Sequence, residues 1–212
     1  MEKIDILSLS PETLGQYLAE MGEPKFRAKQ LFSWLHQKQV TDFAQMTTLS
    51  LQLRQKLNEK FCINRLNIAR KLASSADDTV KYLYELPDGN FVETVLMDYH
   101  HGKSLCISTQ VGCRMGCQFC ASTIAGYVRD LQPSELLLQI YETQRDAGCR
   151  IDSIVLMGIG EPLDNFDNVV QFFRLLSHPD GMNMSLRHAA LSTCGLVPQI
   201  RQLADLRLGV TL

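Results

Sequence analysis

The second half of the chain alternates short apolar runs with longer segments of helical periodicity. The runs at 105–109, 153–157 and 188–192 are typical of strands, and 133–146, 166–176 and 197–206 repeat apolar residues at helical spacing. Strands that alternate with helices of this length favour a parallel sheet or an open barrel, because each helix returns the chain to the same edge of the sheet. The predicted fold class is α/β, an incomplete parallel (β/α) barrel.

The first 75 residues have a different character. Ser10-Pro11-Glu12 is typical of a helix start, and further helical segments begin near Pro24 and after Ser50. This part carries 11 Lys and Arg against 7 Asp and Glu, whereas the remainder carries 10 against 16. We predict a small helical accessory domain over 1–75, and its basic surface suits a polyanion, although a solvated helical face is the simpler interpretation.

A predicted hairpin joins these two parts. Alternating residues at 80–86 and 91–97 flank Pro87-Asp88-Gly89-Asn90, a sequence that favours a turn. The predicted organisation is therefore a helical domain over 1–75, a hairpin linker over 76–98 and a core domain over 99–212.

The two ends of the chain carry separate expectations. The start is polar and acidic, and no apolar run approaches the roughly 20 residues of a membrane helix, so we expect a cytoplasmic protein. The last residues, 208–212, are typical of the beginning of another buried strand. Because a sheet that stopped there would leave an apolar edge, we expect the chain to be the amino-terminal part of a longer protein.

Three of the seven cysteines are clustered at Cys113, Cys117 and Cys120, directly after the strand predicted at 105–109. Three thiolates at this spacing can hold one face of an iron–sulfur cluster and leave one iron open for a ligand that is not protein. Radical chemistry with S-adenosylmethionine (SAM) uses such an open iron. The alternative is structural zinc, which needs a fourth ligand, for example one of three side chains: Cys106, His100 or His101. The spacing favours iron and sulfur.

Two further strand ends carry polar or flexible residues. Gly160-Glu161 follows the strand at 153–157, and Ser192 ends the strand at 188–192. Glycine lets a ligand approach the backbone, and a carboxylate accepts hydrogen bonds from an ammonium group, although such a pair alone is usually just a turn. The carboxyl ends of parallel strands meet at one edge of a sheet, so we expect these residues to converge on the cysteines.

Several motifs occur together and in order, and they resemble one family. They are the three cysteines with the aromatic Phe119, the segment Cys106-Ile-Ser-Thr-Gln-Val-Gly-Cys113, Gly160-Glu161-Pro162-Leu163-Asp164-Asn165, and Leu191-Ser192-Thr193-Cys194-Gly195-Leu196-Val197-Pro198. Phe26-Arg27-Ala28-Lys29-Gln30-Leu31 in the front domain is similar to the same family's accessory domain. Over nearly its whole length the chain resembles the RlmN/Cfr family of radical-SAM methyltransferases, and the finer match is to the RlmN branch, which acts on C2 of adenosine in RNA.

The resemblance implies cofactors and partners. The three clustered cysteines would bind a [4Fe-4S] cluster, Gly160 and Glu161 would hold the methionine part of SAM, and Ser192 would contact SAM further along. The core would be a radical-SAM partial barrel. The partners implied are 23S ribosomal RNA, transfer RNA and an electron donor such as flavodoxin.

The resemblance also implies a mechanism. In this family one SAM methylates a cysteine near the C-terminus, and a radical made from a second SAM takes hydrogen from that methyl group, which then adds to adenine C2. Cys106 matches the cysteine that resolves the covalent adduct and ends in a disulfide with the methyl carrier. Glu93 matches the proton acceptor, and strand alternation puts it among apolar side chains, where a carboxyl pKa tends to rise. From its position alone, a glutamate of an edge strand that points at water is an equal interpretation. The carrier cysteine would lie beyond Leu212, so this chain alone should not complete the reaction.

Two alternatives remain at the level of sequence. One is a zinc-stabilised RNA-binding module without catalytic activity, for which the Gly160-Glu161 turn has no role. The other is a radical-SAM enzyme with a different substrate, against which the spacing of Glu93 and Cys106 argues.

Overall fold

The helices of the accessory part begin where serines cap them. This computed structural model describes residues 3–100, 102–124 and 126–212. The Ser10 side chain accepts a hydrogen bond from the Thr13 amide at 3.2 Å, and the Ser50 side chain accepts one from the Leu53 amide at 3.2 Å. Within the described ranges the α-helices are α1 (Pro11–Glu20), α2 (Phe26–Phe32), α3 (Leu51–Lys60), α4 (Pro133–Ala147), α5 (Phe166–Ser177) and α6 (Val197–Leu206).

The strands of the described residues form three sheets. They are β1 (Ile4–Asp5), β2 (Phe61–Cys62), β3 (Asn67–Ala73), β4 (Val80–Glu85), β5 (Phe91–Tyr99), β6 (Gly102–Cys106), β7 (Gln110–Gly112), β8 (Tyr127–Asp130), β9 (Ser153–Leu156) and β10 (Ala189–Leu191). The main sheet has the order β10-β9-β6-β5-β4-β3, in which β6, β9 and β10 run parallel and β3 to β6 antiparallel. The expected α/β architecture is confirmed, and Thr211 already pairs in parallel with Ala190 beyond the last strand.

The edge of this sheet differs from the sequence expectation. Residues 67–73, which the sequence analysis placed inside the accessory domain, form the outermost strand, β3, and every one of them is exposed. An edge strand exposed on both faces carries no apolar alternation, so its sequence gives no periodic signal. The predicted hairpin also exists as β4 and β5, but it is the middle of the main sheet and not a linker.

The two faces of the main sheet have different surroundings. Helix α4 packs on one face, where the Tyr84 hydroxyl lies 2.8 Å from Thr143 Oγ1 and Thr94 donates to Gln139 at 2.8 Å. The other face is only half-buried. Paired residues in one row across it are Val95 of β5, Cys106 of β6, Val155 of β9 and Ala190 of β10. We call this second surface the open face.

In the described part of the chain, no helix combines the length and apolar character that crossing a bilayer requires. The longest helix is α4, and its 15 residues are amphipathic in the ordinary manner of a helix packed on a sheet. The structure therefore contains no candidate spanning helix among the residues it describes.

A buried histidine joins the accessory helices to the core. His36, in a π-helical turn at Ser33–Gln37, is fully buried, and its Nδ1 lies 3.0 Å from the hydroxyl of Tyr141 on α4. Its ring stacks against Phe32, with 4.3 Å between the ring centroids. Burial lowers the pKa of His36 to about 3, because the charged imidazolium has no water there. The junction of the two parts therefore requires a neutral histidine.

We expect the free energy of unfolding to fall steeply with acid because of His36. The unfolded chain binds a proton at this side chain near pH 6.5, whereas the folded chain resists it until about pH 3, so the stabilisation is present above pH 6.5 and is lost as the pH falls. The full difference is on the order of 4 kcal/mol. Urea unfolding of the wild type and of His36→Asn, which keeps an acceptor and cannot take this proton, measures it. Parallel pH profiles for the two proteins would contradict the assignment.

Candidate metal and cofactor site

A cavity of about 260 Å³ lies beyond the carboxyl ends of β9 and β10. It brings together six residues that the sequence analysis singled out: Cys113, Cys117, Cys120, Gly160, Glu161 and Ser192. They come from three loops that are far apart in the chain and follow β7, β9 and β10. The loops after β9 and β10 meet at the carboxyl edge of the parallel strands, as expected from the sequence. The cysteine loop reaches the same edge from β7, which pairs antiparallel with β8 in a separate two-stranded sheet.

The cysteine loop leaves β7 through a tight backbone contact. Gly112 has φ of +72°, and a Cβ there would come within 1.7 Å of the Gly126 carbonyl oxygen, which accepts a hydrogen bond from the Cys113 amide at 3.1 Å. Cys113 is buried, whereas Cys117 and Cys120 are half-exposed. Hydrogen bonds from Ser122 lower the pKa of Cys120, which favours its thiolate form. The loop therefore presents thiols to the cavity from a fixed base.

The donor set of the cavity fits a thiolate-bound cluster. The residues lining it include four cysteines and no histidine, and soft thiolates are the ligands that iron–sulfur clusters use. No group of three or more His, Cys, Asp or Glu side chains in the described ranges is arranged to hold a single metal ion. The three thiols of the predicted motif thus surround a space without converging on one point within it.

The ligands considered for the zinc alternative lie elsewhere. Cys106 is not among the residues that line the cavity, and His100 lies in the turn that precedes β6, at the end of that strand away from the cysteine loop. His101 lies outside the described residues. The fourth thiol at the cavity is Cys194, two positions after Ser192 in the motif 191–198. Its sequence position gives no indication that it lies at the cavity, because only the fold brings the loop after β10 close to the cysteine loop.

Glu161 is buried and bonded to its own surroundings. Its Oε1 accepts a hydrogen bond from the Leu163 amide at 2.9 Å, and its Oε2 accepts one from the Cys194 amide at 2.7 Å. Burial, together with the nearby Glu161 carboxylate, raises the pKa of the Cys194 thiol to about 11. The Cys194 thiol is hydrogen-bonded to the same carboxylate, which has about four acceptor positions, so one remains for a donor such as the ammonium group of an amino acid. Glu161 therefore ties the loop after β9 to the loop after β10.

Glu93 and Cys106 lie together on the open face. Cys106 pairs with Val95, and Glu93 is two residues further along β5 on the same face, which places the two side chains about 7 Å apart at their base. The apolar surroundings expected for Glu93 are wrong: its side chain is 41% exposed and its carboxylate lies 2.7 Å from Lys81 Nζ. The sequence analysis assigned Glu93 to the correct face, but this face is not covered, and cross-strand pairing brings Lys81 beside it.

Cys106 is a free thiol. It is half-buried, burial raises its pKa, and it hydrogen-bonds to the backbone of Met157, a residue of the cavity wall. Cys106 forms no disulfide in this structure, so the disulfide that the resemblance implies for it is not present here. Glu93 and Cys106 thus lie next to the cavity, and neither of them lines it.

Family models match both parts of the chain. The model of the ribosomal RNA large subunit methyltransferase N-terminal domain matches residues 4–63, and the radical SAM superfamily model matches residues 107–211. The probable dual-specificity RNA methyltransferase RlmN of Lachnoclostridium phytofermentans is 53% identical over 211 residues, which are 100% of this chain and 59% of that protein. The protein of the same name from Alkaliphilus oremlandii is 51% identical over 212 residues, which are 100% of this chain and 62% of that protein.

One solved structure resembles the whole chain. The crystal structure of a radical SAM methyltransferase from Sphaerobacter thermophilus matches with a TM-score of 0.89 and 35% identity, over 98% of this chain and 62% of the other. The chain thus spans about three fifths of the length of the relatives that it matches. Both parts of the chain, the accessory helices and the partial barrel, find their counterparts in the same proteins, and the chain belongs to the RlmN family of the radical SAM superfamily.

Proposed function

We propose that this chain forms the cluster-binding and SAM-binding part of a methyltransferase that modifies C2 of an adenosine in 23S ribosomal RNA and in transfer RNA. The observation that carries the proposal is the cavity at which three thiols, Gly160, Glu161 and Ser192 meet. The relatives at about 50% identity bear the name of a dual-specificity RNA methyltransferase, and this name supports the choice of RNA.

The residues of the cavity have separate roles in this proposal. Cys113, Cys117 and Cys120 bind a [4Fe-4S] cluster, which with SAM supplies the one-electron chemistry that activates an unreactive C–H bond. Glu161 accepts a hydrogen bond from the amino group of SAM, and Gly160 leaves room beside it. Ser192 lines the same cavity from the loop after β10, and its hydroxyl contacts the rest of SAM.

In this proposal the open face binds the adenine base and carries the two residues that react with it. Glu93 accepts the proton that leaves adenine C2, and its exposure gives an RNA base access to the carboxylate. Cys106 resolves the adduct between protein and RNA, and because burial raises its pKa, the thiol must lose a proton before it attacks. A single-stranded or flipped adenosine fits this arrangement, since a base inside a duplex cannot reach a sheet surface. The resolving disulfide, an electron donor such as flavodoxin and a cytoplasmic location complete the proposal.

The test is anaerobic reconstitution of this chain with iron and sulfide. We expect about four irons per chain and an electron paramagnetic resonance (EPR) signal from the reduced cluster that changes when SAM is added. Stoichiometric zinc with no iron would support the zinc-stabilised RNA-binding module instead. A cluster whose signal ignores SAM would leave the fold in place and overturn the SAM-binding role of the cavity.

Two neighbouring cations of the edge strand β3 test whether RNA binds to the open face. Arg70 of β3 lines a groove of about 120 Å³ on this face, beside Glu93 and Lys81. Its neighbour Lys71 points to the other face, where its Nζ lies 2.6 Å from Asp146 on α4. Successive residues of a strand face opposite ways, so these two cations form a matched pair.

We expect Arg70→Ala to weaken RNA binding and Lys71→Ala to leave it nearly unchanged. A phosphate contact contributes about one unit to the slope of log affinity against log salt, so this slope should fall by about one in the first variant only. Fluorescence anisotropy with an RNA hairpin that carries a loop adenosine measures both. Equal losses in the two variants would argue against the open face as the RNA surface.

A further inference from the structure

One buried amide connects the cysteine loop to the glycine–glutamate loop. Gln110 lies in β7, three residues before Cys113, and is fully buried. Its Oε1 accepts the Glu161 amide at 2.9 Å, and its Nε2 donates to Asp130 Oδ1 at 2.8 Å and to Asp164 Oδ2 at 2.7 Å. Ionised carboxylates only accept hydrogen bonds, so the two aspartates fix which way the amide points.

A second connection runs through Asp164. The carboxylate that accepts from Gln110 also lies 2.9 Å from Arg114 Nε, and Arg114 directly follows Cys113. The guanidinium of Arg114 sits 3.7 Å from the centre of the Tyr127 ring, which orients it. The glycine–glutamate loop is thus bonded to the cysteine loop on both sides of Cys113.

The backbones of the two loops also touch at this point. The Thr109 and Gln110 amides both donate to the Ile159 carbonyl, at 2.8 and 3.2 Å. A Cβ on Gly160 would come within 2.6 Å of Gln110 Cβ. The contact is close enough that a small shift of Gln110 must move Gly160 and Glu161 with it.

We propose that Gln110 is a positioning residue for SAM: it holds the Glu161 loop at a fixed distance from the three cysteines, without itself lining the cavity. The inference rests on the proposed function, because SAM must contact both the cluster and the Glu161 loop for that distance to matter. Replacement of the amide leaves the Glu161 amide without its partner and removes one hydrogen bond from each of the Asp130 and Asp164 carboxylates, of which Asp164 keeps its contact with Arg114. The expected loss of SAM affinity is at least about tenfold, which corresponds to about 1.4 kcal/mol.

The experiment compares Gln110→Leu with Gln139→Leu. Gln139 is equally buried, and its hydrogen bonds go to Thr94, Ser108 and Glu135. None of these belongs to either loop, and only Ser108 contacts one, through its own hydroxyl, which accepts from the Ile159 amide at 3.0 Å. Gln110→Asn, which keeps a shorter amide, serves if the leucine variant does not fold. Three quantities are measured: iron per reconstituted chain, the dissociation constant for SAM, and hydrogen exchange of the Glu161 amide in the chain without cluster.

We expect both Gln110 variants to keep their iron, to bind SAM at least about tenfold more weakly, and to exchange the Glu161 amide at least about tenfold faster. Gln139→Leu should lose stability yet keep its SAM affinity within about threefold of the wild type. Unchanged SAM affinity in the Gln110 variants, or equal acceleration of the Glu161 amide by Gln139→Leu, would overturn the role of Gln110. A wild-type chain that binds no cluster would instead refute the proposed function, and amide exchange alone would then decide about Gln110.

Discussion

Replacing Cys117 with alanine is expected to reduce the iron of the reconstituted chain from about four atoms to less than about one, and to abolish the EPR signal of the reduced cluster. Cys117 is the middle thiol of a three-thiol set that lines one cavity. A cluster that is attached by only two thiolates and exposed to solvent is readily lost, because two of its four irons then have no protein ligand. Iron analysis and EPR on the anaerobic protein measure the effect.

Cys194 provides the matched control for this variant. Its thiol lines the same cavity, but it lies outside the three-cysteine motif and comes from the loop after β10. Cys194→Ala should therefore keep about four irons per chain. Loss of metal in both variants would indicate a closed site with four thiolates, which is the arrangement that structural zinc prefers. Iron retained in Cys117→Ala would contradict the ligand assignment.

The elements that the sequence predicts well are those whose signal is local. Ser10 and Ser50 cap their helices with side chains three residues from the amides that they bond, so the pattern is visible in a short window. The strands of the core are predicted in the same way, from short apolar runs. The topology of the sheet then brings the cysteine loop and Glu161 to one cavity.

The features that the sequence does not predict depend on contacts between distant segments. The pairing of Glu93 with Lys81 requires the register of β4 against β5, and neither residue type indicates it alone. Gln110 carries no signal as a single buried amide, because its three partners lie 20 to 54 positions further along the chain. Such residues are identified only when the fold has brought the loops together.

The close approach at Gly160 leads to the second large prediction. Gly160 has φ of +106°, and a Cβ there would lie 2.6 Å from Gln110 Cβ and 2.7 Å from the Gln110 amide nitrogen. Gly160→Ala thus combines an unfavourable backbone conformation with a clash against a strand, and we expect it to lower the free energy of unfolding by about 3 kcal/mol or more. Urea denaturation measures the loss, and SAM binding should disappear with it, because relief of the clash must displace the Glu161 loop.

Gly195 separates the two causes. It has φ of +101°, nearly the same backbone conformation, yet a Cβ there meets nothing within 4 Å. Gly195→Ala should therefore cost only the backbone strain, about 1 to 2 kcal/mol, and leave SAM binding measurable. Because the two positions share their φ value and line or adjoin the same cavity, the difference between the variants isolates the contact with Gln110. Equal losses would mean that the loop after β9 can move away from β7 at little cost, and that the spacing between the cysteines and Glu161 is not fixed by this contact.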